Sequence, residues 1–133
     1  MTYNLKNFNT LKILGILGLL LLALMATSVS ASTQRSVATL SGDIAVNGNS
    51  IPVHDGSLSV TGSNFSQSRN QMDSKVRKDL IPIAVDPTVY SSRLMVGTSK
   101  TSTVYVPASN YYARGESVRY PVYGAVSFSE YYQ

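Results

Sequence analysis

The stretch SVATLSGDIAV, residues 36–46, decides how the rest of the chain is read. Ser36, Ala38, Leu40, Gly42, Ile44 and Val46 recur at every second position, with Val37, Thr39, Ser41 and Asp43 between them. A side-chain period of two places the first set on one face of an extended strand, which a helix cannot do. Asn47-Gly48 follows; this dipeptide accepts positive φ and predicts a tight hairpin turn. Ile51-Pro52-Val53 is then the returning strand, and its proline, lacking a donor, belongs at an edge or a strand end.

Working toward the C-terminus, His54-Asp55-Gly56 reads as a turn. Ser57–Thr61 reads as a short strand with Leu58 and Val60 on one face, and Gly62-Ser63-Asn64 closes it. Phe65–Leu80 is the only helical candidate: Phe65, Met72, Val76 and Leu80 recur at steps of seven, four and four. A polar loop is the alternative, because Ser66–Asn70 are poor helix formers. Pro82 blocks continuation. Ile83–Val85, Val89–Val96 and Thr101–Val106 read as strands, broken at Asp86-Pro87 and Gly97–Lys100. In the final segment Val118, Tyr120, Val122, Gly124, Val126 and Phe128 share a face, and Pro121 and Gly124 split or bend it. The expected class is all-β, a small sandwich or partly open barrel with at most one short helix.

Toward the N-terminus, Lys6 and Lys12 precede the apolar run Ile13–Ala26, and Thr27, Ser28, Val29, Ser30 and Ala31 close it. A basic start, a short apolar run and a small-residue exit predict a secretory signal peptide at 1–31, cleaved between Ala31 and Ser32. As a helix the apolar run reaches about 21 Å, short of a ~30 Å hydrocarbon core. Contact with a membrane is therefore expected only through this segment. Residues 32–46 then form an N-terminal extended arm or first strand, and 47–133 the sandwich domain.

The chain has no cysteine, so an exported domain of this size must be held by its core, by ligands or by neighbouring subunits. Beyond residue 31 the nine Lys/Arg and seven Asp/Glu leave a charge near +2, too mild to argue for nucleic acid. Eight of the nine tyrosines lie there, at 90, 105, 111, 112, 120, 123, 131 and 132. Tyrosine suits half-buried strands and wet interfaces, where the ring packs and the hydroxyl stays hydrated.

Catalytic signals are weak. His54 is the sole histidine and adjoins Asp55, but no G-x-S-x-G occurs, and it reads as a turn residue. Asp43, His54 and Asp55 lack metal-ligand spacing. Lys75, Arg77 and Lys78 read as a solvated face. Asn64-Phe65-Ser66 fits the N-glycosylation pattern. No catalytic residue, metal or cofactor is expected.

One set of residues carries a family resemblance. Val106-Pro107 leads to Tyr111-Tyr112-Ala113-Arg114-Gly115, and the chain ends VSFSEYYQ with Tyr132 penultimate. Over about Thr103–Gln133 this resembles a chaperone–usher fimbrial subunit, a pilin. The resemblance implies an immunoglobulin-like sandwich missing its last strand, completed by the N-terminal arm of the next subunit. It implies a donor face of Ala38, Leu40, Gly42, Ile44 and Val46, and a C-terminal strand bearing Val126, Phe128 and Tyr132. It also implies self-association or other surface-fibre subunits as partners, with a periplasmic chaperone in transit. The chain departs from the pattern in its short length, its lack of a cysteine pair, the late position of Gly124 and the presence of Glu130 where an apolar residue belongs. Two functions follow: an exported structural or adhesive surface protein, or a stand-alone secreted β-sandwich binding module. A secreted hydrolase ranks below both. An open groove with a loose arm would favour the first, and a sandwich complete in itself the second.

Overall fold

The computed structural model describes residues 34–131 apart from 55, 81 and 83. The expected signal segment, the cut after Ala31, Asp55, Ile83 and Tyr132 lie outside the described residues. Nine strands form two antiparallel sheets among the described residues: β1 (Arg35–Asp43), β2 (Ala45–Asn47), β3 (Ile51–Val53), β4 (Gly56–Asn64), β5 (Met72–Lys78), β6 (Thr88–Leu94), β7 (Ser99–Val106), β8 (Ser109–Ser117) and β9 (Val122–Tyr131). The first sheet runs β1-β9-β4-β7. The second runs β2-β8-β5-β6, with β3 beside β2 along the same edge of β8. The all-β sandwich expected from the alternation is the fold.

The alternation places the core between the sheets. Leu58 and Val60 of β4, and Val122, Val126 and Phe128 of β9, are almost fully buried from one side. Met72 and Val76 of β5, and Tyr111 and Ala113 of β8, meet them from the other. Each large aliphatic or aromatic side chain buried this way contributes roughly 1.5–3 kcal/mol before ordering costs.

The two outer faces differ in chemistry. On the first sheet the outward residues are mostly hydroxyls, paired across strands: Thr61 with Thr101 at 3.0 Å, Ser63 with Ser99 at 2.8 Å. On the second they are charged. Arg93 grips Asp73 through two bonds of 2.8 and 3.1 Å, and Glu116 lies between Lys75 and Arg114.

The structure corrects four expectations. No helix occupies 65–80. Residues 65–71 form a turn and 72–78 are β5, with Met72, Ser74 and Val76 buried in alternation. Met72 and Val76 are four apart, a spacing that fits both a helical turn and two steps of a strand, and the facing sheet selects the strand. Second, Asn47-Gly48 makes no hairpin: β2 and β3 both pair with β8 rather than with each other. Gly48 is needed for space instead, since a Cβ there would lie 2.7 Å from Ser36 Oγ and from the Val37 carbonyl oxygen. Third, Ala84 and Val85 are irregular, with Val85 87% exposed. Fourth, the last strand begins at Val122, leaving Val118 and Tyr120 exposed in the loop before it. β8 went unread as a strand in the sequence.

Candidate functional site: the terminal strand pair and the loop end

Two features stand out, and the first collects the residues singled out for assembly. β1 lies antiparallel to β9, with Ser36 opposite Phe128, Ala38 opposite Val126 and Leu40 opposite Gly124. Ala38, Leu40, Val126 and Phe128 all lie within this domain's own core, each no more than 1% exposed. The single face expected from Ala38 to Val46 ends at Leu40. Gly42 takes φ +86°, and the register shifts between Ser41 and Asp43. This bulge turns the chain out of the first sheet and into the second. Ile44 is left 64% exposed, and Val46 pairs with Gly115 in the second sheet.

The socket for β1 is the stretch Tyr111 to Gly115 in β8. Its inward residues diminish in size: Tyr111, Ala113, Gly115. The Tyr111 hydroxyl folds back to donate to the Pro107 carbonyl at 2.8 Å. The Ala113 N–H donates to Ser36 Oγ at 2.9 Å, and the same hydroxyl donates to the Asn49 carbonyl at 2.6 Å. Leu40 then fills the space that any Cβ on Gly115 would need. One polar and one apolar contact thus lock β1 across the sandwich.

The second feature was not legible in sequence. The β4–β5 loop, the start of β9 and the β8–β9 loop enclose an open groove of about 830 Å³, lined by Gln67, Arg69, Tyr120, Pro121 and Tyr123. Its base is hydrogen-bonded. Ser68 Oγ accepts from the Tyr123 N–H and donates to the Tyr123 carbonyl, both at 2.8 Å. The Phe65 N–H donates to that carbonyl as well, at 2.8 Å. Tyr123 crosses the β1 bulge, where a Cβ on Gly42 would sit 3.2 Å from the tyrosine hydroxyl. Gly42 therefore supplies both the positive φ and the room for this ring. Arg119 stands 5.9 Å from the Tyr120 ring centroid, within cation–π reach, and Ser117 Oγ donates to the Tyr120 carbonyl. Tyr120 is 59% and Tyr123 37% exposed. The tyrosine-rich composition was the available signal, but loops some fifty residues apart meet only in the fold.

The residues weighed for chemistry fall elsewhere. Exposed His54 approaches Glu130 Oε2 at 3.3 Å through Nδ1, and its backbone N–H donates to Glu130 Oε1 at 2.8 Å. Glu130 is the inward residue near the end of β9, at the opposite end of the sandwich from the groove. Among the described residues no group of three His, Asp or Glu is placed to hold a metal. Asn64 is 1% exposed and its amide nitrogen donates to the carbonyls of Asn70 and Leu94, at 2.9 and 3.2 Å. A glycan on that nitrogen is incompatible with these bonds.

No family model and no curated protein matches the chain. A solved structure entitled "Structure of infectious bursal disease virus Gt strain" is similar at 11% identity and a TM-score of 0.34. The match covers 76% of this chain but only 30% of that one, and it carries no functional argument.

Three ionisable groups outside the groove are shifted from their ordinary values. The Lys75 ammonium, then Arg114, hold the Glu116 carboxyl below its ordinary 4.5 against the opposing effect of burial. The Leu80 N–H, then the Tyr112 hydroxyl, hold Asp86 below 3.8. A carboxyl depressed in the folded state contributes stability above its unfolded value and loses it as pH falls through the folded value. Burial, then the bond to Asp86, raises Tyr112 above 10.0, so its contribution is complete below that pH and lost above it. Thermal unfolding is therefore expected to give a flat Tm between about pH 5.5 and 9, falling below about pH 4.5 and above about pH 10. Glu116→Gln should flatten the acid limb. An unchanged acid limb in that variant would show that the Lys75–Glu116–Arg114 cluster does not set it.

Proposed function

We propose that the chain is an exported, non-enzymatic surface or secreted module that binds its ligand at the loop end of the sandwich. The observation that carries this reading is the groove of Tyr120, Tyr123, Gln67 and Arg69, hydrogen-bonded at its base and open at its mouth, on a sandwich whose strand β1 fills its own socket. Tyrosines offer large, stiff, amphipathic contact area at low entropic cost, the property used at binding surfaces generally. The export part of the proposal rests on the Lys6/Lys12, Ile13–Ala26 and Val29-Ser30-Ala31 pattern.

The fimbrial reading remains as a second proposal, favoured by one specific observation. Among the described residues β1 is the first strand, lies at the edge of its sheet and is laddered there to β9 alone. A strand so placed can be supplied by another copy through the same ladder, with Leu40 over Gly115 and Ser36 bonded to Ala113.

The exported protein separates these readings. Its N-terminal sequence is expected to begin at Ser32 and its native size to be that of a monomer. A retained Met1 would overturn export with cleavage. Linear polymers that resist mild denaturation would replace the stand-alone module with strand exchange.

A further inference from the structure

We infer that the loop-end groove takes an acidic saccharide, a sugar ring bearing a carboxylate. This deepens the binding reading and rests on it. The cation is Arg69, exposed and without an ion-pair partner among the described residues; no acidic side chain lines the groove. Arg119 adds a second positive charge beside Tyr120. Asp43, the carboxylate of the β1 bulge, accepts the Ser41 N–H at 2.7 Å and is not part of the lining. A planar guanidinium recognises a planar carboxylate through two parallel bonds.

The remaining lining fits a hydroxylated ring. Tyr120, Pro121 and Tyr123 present flat apolar surfaces, while the Gln67 amide and the tyrosine hydroxyls can exchange hydrogen bonds with sugar hydroxyls. An acidic peptide fits less well. Peptides commonly dock by adding a strand to a free edge or by filling side-chain pockets. Here the backbone at Tyr123 is already bonded to Ser68 and Phe65, β9 is flanked by β1 and β4, and no aliphatic pocket opens in the lining.

The test titrates the folded domain with a polyuronate tetrasaccharide, its carboxyl-reduced counterpart, and a glutamate tetrapeptide, following amide and side-chain NMR shifts. The uronate is expected to shift signals of residues 67–69 and 119–123. The reduced sugar and the peptide should bind at least tenfold more weakly. Arg69→Gln and Tyr120→Ala, both at exposed positions, should weaken uronate binding at least tenfold while leaving Tm unchanged. Lys78→Gln, at the far end of β5, should leave it intact.

Equal binding of the acid and reduced sugars, tighter binding of the peptide, or no binding of either sugar would overturn the assignment of ligand class. Adhesion of the full chain to cell surfaces separates that failure from failure of the binding reading. If Arg69→Gln and Tyr120→Ala abolish adhesion while the uronate fails to bind, the groove is a binding site for another ligand. If both folded variants adhere normally and the uronate fails to bind, the groove binds nothing relevant and both readings fall.

Discussion

Gly115→Ala is expected to destabilise the domain by about 3 kcal/mol, although it adds a single methyl group. In general, replacing glycine by alanine at a compatible site stabilises by about 0.4–1 kcal/mol, because the unfolded chain loses freedom. Here the steric effect opposes that gain and exceeds it. The new Cβ falls on the Leu40 side chain, against its Cδ1 and close to its Cγ, and Leu40 is 1% exposed. The interior is close-packed, so the overlap must be relieved by moving β1 against β8. Leu40→Ala alone should cost about 2–5 kcal/mol, as other buried leucine truncations do. Together the two should couple, because the methyl on residue 115 occupies part of the cavity left at residue 40. The double variant is expected to be more stable than the sum of the singles by about 1–3 kcal/mol. Urea midpoints with unchanged m values measure all three. Strict additivity would mean that Leu40 does not seat over Gly115.

Removing β1 should have a larger effect still. A chain beginning at Ile44 loses Ala38 and Leu40 from the core, the whole ladder to β9, and the hydroxyl that satisfies the buried Ala113 N–H. The two apolar side chains and the orphaned amide together approach the total stability of a small domain, about 5–15 kcal/mol. The shortened chain is therefore expected to lack a cooperative unfolding transition and to aggregate through the exposed edge of β9. Adding a synthetic peptide of residues 34–43 in trans should restore a native spectrum. The same peptide carrying Leu40→Asp should not, because it drives a charge into an apolar socket. Rescue in trans would support the exchange of this strand between copies. A shortened chain that folds and unfolds cooperatively by itself would show β1 to be dispensable.

Alternation alone identified the inward faces of β4 and β9: Leu58 and Val60, then Val122, Val126 and Phe128, are spaced so that only an extended chain buries them together. It also put Ala38 and Leu40 on one face, which the fold buries in this domain's own core rather than in a neighbour's. The same rule failed at Ile44, because the chain bulges at Gly42 and crosses there from one sheet to the other, leaving Ile44 outside while Val46 packs against the core again, and hydrophobicity does not record a bulge. It failed at β5 because Met72 and Val76 satisfy both periods; only pairing with the strands on either side, β8 and β6, and packing on the facing sheet decide between them. β8 escaped notice because its inward residues end in alanine and glycine, and Gly115 serves by the space it leaves to Leu40 rather than by apolar surface of its own. The loop-end groove lies furthest from the sequence. Arg69 and Tyr120 are separated by half the length of the domain, and their proximity follows from β4, β5, β8 and β9 all turning at the same end of the sandwich. Local pattern specifies which way a side chain points, whereas which loops meet is fixed by strand pairing between distant residues.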